Sequence, residues 1–401
     1  MRVLWISPKL PFPLESGDKL RQFNLMKRLS QKVEISLIAF AIRREEEEYA
    51  SYLRQYCSRV RIFYSPNRSR VRRFLAMSCH TVPYYVWRYY SKNAVAYIRQ
   101  ELARFHPNSV QIEHTYMAEY RRVLSREAAP PTILTKHNID ADLAYQSYRL
   151  ANSSIGRIFW WLEWKKMSHY EPEADKSVSA IVVMSPQDKS RLLEKEKGLP
   201  LVEIVENGVD TSLLKPLPPL HDPIVIFVGA FDYLPNQDAA VWFCKTILPI
   251  VRDFHTNAKL LLVGRNPSHV VTQLLSDAVE IYADVPDVLP YYERSALAVV
   301  PLRGGSGSRL KILEAMALGR PVVSTKKGAE GLQVTPGLDF LEADDPVAFA
   351  AAITSLIRDR NLYQRIAQHA RKTVETKYDW DIAAQKMTLL YERVAREGLD
   401  R

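Results

Sequence analysis

Cysteine is scarce: the 401 residues hold three, Cys57, Cys79 and Cys244. They are scattered and odd in number, so neither a CxxC metal pair nor a disulfide framework can be drawn, and a reducing cytosol is the expected compartment. Long apolar runs are also missing, and none approaches the roughly 18–20 residues needed to cross a bilayer. The opening MRVLWISPKLPFP passes from a short strand into prolines, which does not read as a signal peptide. No short-period repeat is visible. The one low-complexity tract, Glu45 to Glu48, reads as the solvated start of a helix. No His/Cys cluster suited to a required metal ion is found, and neither metal nor other cofactor is expected.

What is present describes a globular chain of two domains. Apolar residues make up 47% and charged residues 25%, enough to bury two full cores. The net charge of +10 is unevenly spread. Residues 1–205 hold 33 Lys+Arg against 21 Asp+Glu, and the remainder holds 22 against 24. The densest basic stretch carries Arg59, Arg61, Arg68, Arg70, Arg72 and Arg73, and the aromatic VPYYVWRYY follows it. Such a half can meet anionic lipid, nucleic acid or a phosphorylated acceptor, or simply be a solvated surface. No nucleic-acid motif accompanies it, and no nucleic-acid partner is expected.

Short β-rich runs alternate with amphipathic segments along the whole chain. The first series reads RVLWIS, VEISLIAF, VRIFYS, SVQIEH, TILTKH and AIVVMS; the second reads IVIFVG, AKLLLVG, VEIYA, LAVVPL and PVVST. Fully apolar strands alternating with helices predict parallel sheets covered on both faces. The fold class is therefore α/β, with two doubly wound Rossmann-like domains facing a central cleft. Domain boundaries are placed at 1–205 and 206–379, with a terminal helix over 380–401 crossing back. The segment 206–223 is the linker, stiffened by Pro216, Pro218, Pro219 and Pro223, with Gly208 as its hinge. A long helix is expected over 151–176.

The stretch GGSGSRLKILEAMALGRPVVSTKKGAEG, Gly304 to Gly331, concentrates the chemistry. A glycine-rich turn (Gly305, Ser306, Gly307, Ser308) lets backbone approach a ligand, and Ser308 is placed to cap the helix RLKILEAMALG. Free N–H groups and the helix dipole then point at an anion. Arg309 and Lys311 put cations in a first turn that disfavours them, which suggests an anion to meet there. Glu314, at i+3 from Lys311, could take hydrogen bonds from a ribose diol. The ordinary alternative is a Lys311–Glu314 pair on a helix surface beside glycines that only turn the chain.

This block, together with VENGVD at 205–210, resembles glycosyltransferase family 4, a retaining family of the GT-B fold, in its exopolysaccharide and lipid-linked oligosaccharide branch. The resemblance is strongest from 205 to 332 and reaches back to PFPLESGDKLRQFNLMKRLS. It implies transfer of a sugar from a nucleotide diphosphate sugar to a hydroxyl on a glycan or lipid-linked acceptor. The composition of the arginine and aromatic segment from Arg59 to Tyr90 suggests an acceptor at a membrane surface, and the basic half is expected to meet anionic lipid on the cytoplasmic face. Glu314 matches the second glutamate of the family's E-x7-E motif, which holds the donor ribose. Ser306 stands where the first would be, and Ala230 stands where an arginine is common, so the diphosphate charge falls to Arg309 and Lys311. Gly229 ends the strand beside the donor. Ser16 and Gly17 match the family's loop near donor phosphate and acceptor. His137 in TKHNID matches a histidine near the reacting sugar, and the Glu113–His114 pair is its rival. The departures at Ser306 and Ala230 also keep open a catalytically silent subunit, and a sugar-nucleotide epimerase shares the fold.

Overall fold

A computed structural model of the chain describes every residue except 43, 65–80, 125–128, 152, 306, 308 and 400–401. Cys79, Arg68, Arg70, Arg72 and Arg73 therefore lie outside the described residues, as do Ser306 and Ser308. The chain divides into two compact units, Met1–Glu206 with Ala383–Arg401, and Asn207–Ile382.

The first unit is built on seven parallel strands: β1 (Arg2–Ser7), β2 (Glu34–Ala41), β3 (Arg59–Tyr64), β4 (Ser109–Glu113), β5 (Thr132–Thr135), β6 (Ala180–Val183) and β7 (Leu201–Ile204). Their order is β3-β2-β1-β4-β5-β6-β7. The central strands carry continuous apolar strings, and Val3 to Ile6 is wholly buried, as a strand covered on both faces requires. The order reverses between β1 and β4, which pair from Val3↔Ser109 to Ile6↔Ile112. In a doubly wound sheet the carboxyl ends flanking that reversal open a crevice for ligands. Helix α1 (Gly17–Leu29) follows β1 and buries Phe23, Leu25, Met26 and Leu29. Two helices, α2 (Asp140–Leu150) and α3 (Ser154–Lys176), form a hairpin between β5 and β6. The long helix expected over 151–176 begins at Ser154 because Ser153 caps it, its Oγ accepting from Gly156 N at 3.1 Å.

The second unit repeats the plan with six parallel strands: β8 (Ile224–Ala230), β9 (Lys259–Arg265), β10 (Val279–Ala283), β11 (Leu297–Val300), β12 (Val322–Ser324) and β13 (Leu341–Glu342). Their order is β10-β9-β8-β11-β12-β13, so its reversal lies between β8 and β11. Helix α4 (Leu310–Ala317) follows β11 and buries Ile312, Leu313, Ala315, Met316 and Ala317. Only Leu310, Lys311 and Glu314 are less than fully buried on it. The last helix, α5 (Trp380–Leu399), starts in the second unit and continues in the first, where Met387, Leu390, Tyr391 and Val394 are buried. There Lys386 Nζ donates to Glu206 Oε2 at 2.6 Å.

Candidate active site

The chemistry-bearing residues gather at the two strand-order reversals, one in each unit. In the second unit Gly229 is the next-to-last residue of β8, and β11 runs out into the loop that leads to α4. Lys311 reaches back from α4 to the end of β8, where its Nζ donates to Asn236 Oδ1 at 2.9 Å and sits 4.6 Å from the Phe227 ring centroid. Asn236 is held in turn by its Nδ2, which donates to Ala230 O at 2.8 Å. Gly229 is required here by close approach. A Cβ on it would lie 3.0 Å from Asn236 Nδ2 and 3.2 Å from Lys311 Nζ. Gly305 is required by its φ of +92° and by Tyr233 and Pro235, each with an atom 2.8 Å from where a Cβ would stand.

One expectation about this helix is corrected. Its N-cap is Arg309, not Ser308, and Arg309 takes the left-handed conformation at φ 52°. Its side chain is consequently not displayed on the first turn but is buried. Nη2 donates to Gly305 O at 3.3 Å and lies 3.8 Å from Glu330 Oε2, while Nε finds no partner among the described residues. The alternative of a Lys311–Glu314 surface pair is not what forms, since Lys311 bonds Asn236. The i,i+3 pair is not made because the ammonium points to the strand end.

This pocket is electrostatically incomplete. Burial, reinforced by the neighbouring Arg309 charge, pulls the Lys311 ammonium down to about 7, and Glu314 only partly restores it. Burial likewise raises the Glu314 carboxyl to about 7 against the pull of Lys311. Arg309 is lowered by burial too, with Glu330 opposing. Desolvated cations are costly unless opposing charge is supplied, and among the described residues Lys311 makes no ion pair while Arg309 has only Glu330, at 3.8 Å.

The first unit's reversal is arranged differently. His114 follows β4 directly, at the unusual φ of 68°. It stacks on His137, which follows β5, at 4.2 Å between ring centroids and 20° between planes. Each imidazole has its own carboxylate. His137 Nε2 is 2.7 Å from Glu113 Oε2, and Glu113 also accepts from Gln111 Nε2 at 3.1 Å. His114 Nε2 lies 3.5 Å from Asp18 Oδ2, too far for a well-formed hydrogen bond. Asp18 is bonded by Lys9 Nζ at 2.8 Å and by the Ser16 hydroxyl. Ser16 thus acts through Asp18, and Gly17 opens α1 between them. Burial works to raise Asp18, but His114, Lys9 and His137 together hold it far below the usual carboxylate range. Burial and the adjacent His137 lower His114 to about 4 against the pull of Asp18, so its ring is neutral at physiological pH.

A buried ionic network fixes the segment that carries His137. Lys136 Nζ pairs with Glu171 Oε1 at 2.8 Å and with Asp175. Glu171 accepts from Asp140 N and Ala141 N, both at 2.9 Å. Burial opposes charge on Lys136, yet the two carboxylates raise it above the ordinary lysine value. Burial pushes both Asp140 and Asp175 up to about 7.

The structure thus places Gly229, Gly305, Arg309, Lys311 and Glu314 in the second unit, and Ser16, Gly17 and His137 in the first. Sequence reasoning missed Asn236, Glu330 and Asp18 as partners. Asn236 gave no signal because its contact, Lys311, is distant in sequence, whereas Asp18, next to Gly17, was visible as a carboxylate opening a helix.

Comparison with known proteins bears on what this arrangement does. Residues 22–213 match the family model described as Glycosyltransferase Family 4, and residues 222–359 match that described as Glycosyl transferases group 1. An uncharacterized 44.6 kDa protein in the cps region of Klebsiella pneumoniae is 21% identical over 94% of this chain and 96% of its own length. A phosphatidyl-myo-inositol mannosyltransferase of Mycobacterium leprae is 28% identical over 57% of this chain and 62% of its own length. The structure of HepE from Anabaena, solved in complex with UDP and glucose, superposes with a TM-score of 0.66 at 15% identity, covering 98% of this chain and all of that one. The two parallel sheets have the GT-B fold of such structures.

Proposed function

We propose that this chain, a transferase belonging to glycosyltransferase family 4, moves a sugar from a nucleotide diphosphate sugar to a hydroxyl of a lipid-linked or polysaccharide glycan, with retention of anomeric configuration. The observation that carries the donor assignment is the incomplete pocket at the β8–β11 reversal. Two desolvated cations, Arg309 and Lys311, stand beside Gly229 and Gly305, where backbone can approach a ligand closely. A diphosphate supplies the charge they lack. Glu314, one turn further along α4, accepts hydrogen bonds from the ribose hydroxyls. The Anabaena structure titled with UDP and glucose, and the mannosyltransferase among the relatives, support a donor of this class.

As the bond between the anomeric carbon and the β-phosphate oxygen breaks, negative charge grows on the phosphate and positive charge on the sugar ring. Arg309 and Lys311 stabilise the phosphate, and a single preorganised donor of this kind is commonly worth on the order of 10²–10³ in rate. His137, oriented by Glu113, contacts the transferred sugar. In this reading no metal ion is needed, because fixed cations meet the leaving group. The protein works at the cytoplasmic face of the membrane that bears its acceptor. Among the described residues no helix is long and apolar enough to cross a bilayer, so a peripheral attachment is proposed.

A thermal-shift and hydrolysis screen of the purified chain against UDP-, GDP-, ADP- and dTDP-sugars tests this, repeated with Glu314→Ala. One nucleotide sugar is expected to stabilise the wild type but not the variant and to be hydrolysed slowly. Binding without turnover, even with lipid acceptors added, would turn the reading toward a catalytically silent subunit; no binding would remove the donor assignment.

A further inference from the structure

The first unit exposes apolar side chains where the transferase chemistry has no use for them. At the tip of the α2–α3 hairpin, Leu150 is 63% exposed, Ile155 73%, Ile158 55% and Trp161 42%. These four fall within twelve residues of sequence. Large apolar side chains grouped in this way on a soluble surface mark an interaction site. On α3 the exposed positions succeed one another at helical spacing. Ile155, Ile158 and Trp161 come first, and Lys165 and His169 follow one and two turns later. One helix face therefore changes from apolar at its tip to basic further down.

The charge around the tip has one sign. From Leu143 to Tyr170 the chain carries Arg149, Arg157, Lys165 and Lys166 against a single carboxylate, Glu163. Glu163 is buried and accepts from Tyr84 N at 2.8 Å, so it shows no negative charge at the surface. Arg157 lies over the Tyr148 ring at 5.3 Å and Lys165 over the Trp164 ring at 4.7 Å, which holds both cations beside the apolar tip. Helix length places this tip. Helix α3 spans 23 residues, about 34 Å, whereas β5 and β6 have four residues each, about 13 Å. The helix ends at Lys176, just before β6 starts at Ala180, so its first turns overhang the carboxyl edge of the sheet. That is the edge at which His114 and His137 stand.

We infer that the tip of this hairpin is a docking surface for an anionic lipid bilayer, with Leu150, Ile155, Ile158 and Trp161 entering the headgroup region and Arg149, Arg157 and Lys165 meeting the lipid charge. Shallow apolar insertion ringed by Lys and Arg is the physics of an interfacial helix, and an acidic protein partner would not need the exposed aliphatic tip. The inference rests on the transferase reading only in its purpose, which is to hold the β4–β5 edge at the surface where a lipid-linked acceptor lies.

Flotation of the full chain with extruded vesicles tests it, comparing phosphatidylcholine alone with phosphatidylethanolamine containing about one quarter phosphatidylglycerol. The wild type is expected to float with the anionic vesicles and to lose binding in high salt. Ile155→Asp/Ile158→Asp should abolish flotation, and Arg157→Glu/Lys165→Glu should weaken it by on the order of tenfold or more. Light scattering accompanies each variant. If the wild type self-associates and Ile155→Asp/Ile158→Asp makes it monomeric, the patch is a contact between copies and the inference is wrong. Equal flotation of wild type and variants overturns it too. Thermal shift with nucleotide sugar reads the other unit independently. A chain that binds donor but ignores anionic vesicles loses the docking surface alone, and a chain that floats but binds no donor loses the transferase reading alone.

Discussion

The two strand-order reversals hold similar residue types in opposite electrostatic states. Around the β1–β4 reversal cations and imidazoles face carboxylates: His137 faces Glu113, His114 and Lys9 face Asp18, and behind them Lys136 is held by Glu171 and Asp175. At the β8–β11 reversal Lys311 leans on a neutral amide and an aromatic ring, and Arg309 keeps a buried Nε unsatisfied among the described residues. The first arrangement orients groups in advance. The second is short of negative charge, which a diphosphate would bring. The difference separates residues that hold a site in shape from residues that wait for a ligand, and it makes opposite predictions for what look like similar lysines.

The largest effect is expected from Lys136→Met, which strands Glu171 and Asp175 in the interior. Breaking a buried pair from one side costs roughly 3–5 kcal/mol, visible as a clear fall in melting temperature by calorimetry. Lys311→Met removes a cation without a carboxylate partner and one hydrogen bond. Its cost to stability should be about 1 kcal/mol or less, while turnover falls on the order of 10²–10³-fold. Equal destabilisation by the two variants would erase the distinction drawn here. Next in size is Gly229→Ala, whose added carbon presses on Asn236 and Lys311. Overpacking of this kind costs about 1–3 kcal/mol of stability, read as a fall in melting temperature by calorimetry.

A smaller effect concerns pH. Lys311 titrates near 7 in the free protein, and a bound diphosphate raises it above that value. Through Lys311 alone, affinity is full below about 7 and declines as pH rises toward the bound-state value, with proton uptake on binding. Glu314, raised to about 7, works in the opposite sense, since its carboxylate form accepts the ribose hydroxyls. Glu314→Gln removes that opposing titration, so its donor affinity should stay level on acidification below about pH 7, where the wild type's falls. An identical slope in the two proteins would count against the assignment. The smallest change is expected from Asn236→Ala, a few-fold loss of affinity from one hydrogen bond that positions Lys311.

The alternation of apolar strands and helices was legible in the chain because fully buried parallel strands leave little freedom in composition: IVIF and LLLV can hardly be anything else. Lys311 and Glu314 were legible as a pair on α4, since two polar residues interrupt an otherwise apolar helix. Where Lys311 goes was not, because the direction of its ammonium is set by Asn236, 75 positions away. Arg309 was misplaced for a local reason. A serine before a helix reads as a cap, but the backbone turns one residue later through a left-handed arginine. His137 was legible from its strand-end position. Its stacking on His114 and the carboxylates behind each ring depend on β4 and β5 being neighbours, which no local pattern states.

The role of Lys311 as the cation that meets the donor diphosphate is tested by calorimetric titration of wild type and Lys311→Met with the nucleotide sugar that stabilises the protein, at pH 7. Saturable binding to the wild type is expected, with a loss of roughly tenfold to a hundredfold in the variant, whose melting temperature stays close to that of the parent. Unchanged affinity in a folded Lys311→Met protein would contradict that role, because the unpaired cation at the end of β8 would then have no anion to meet.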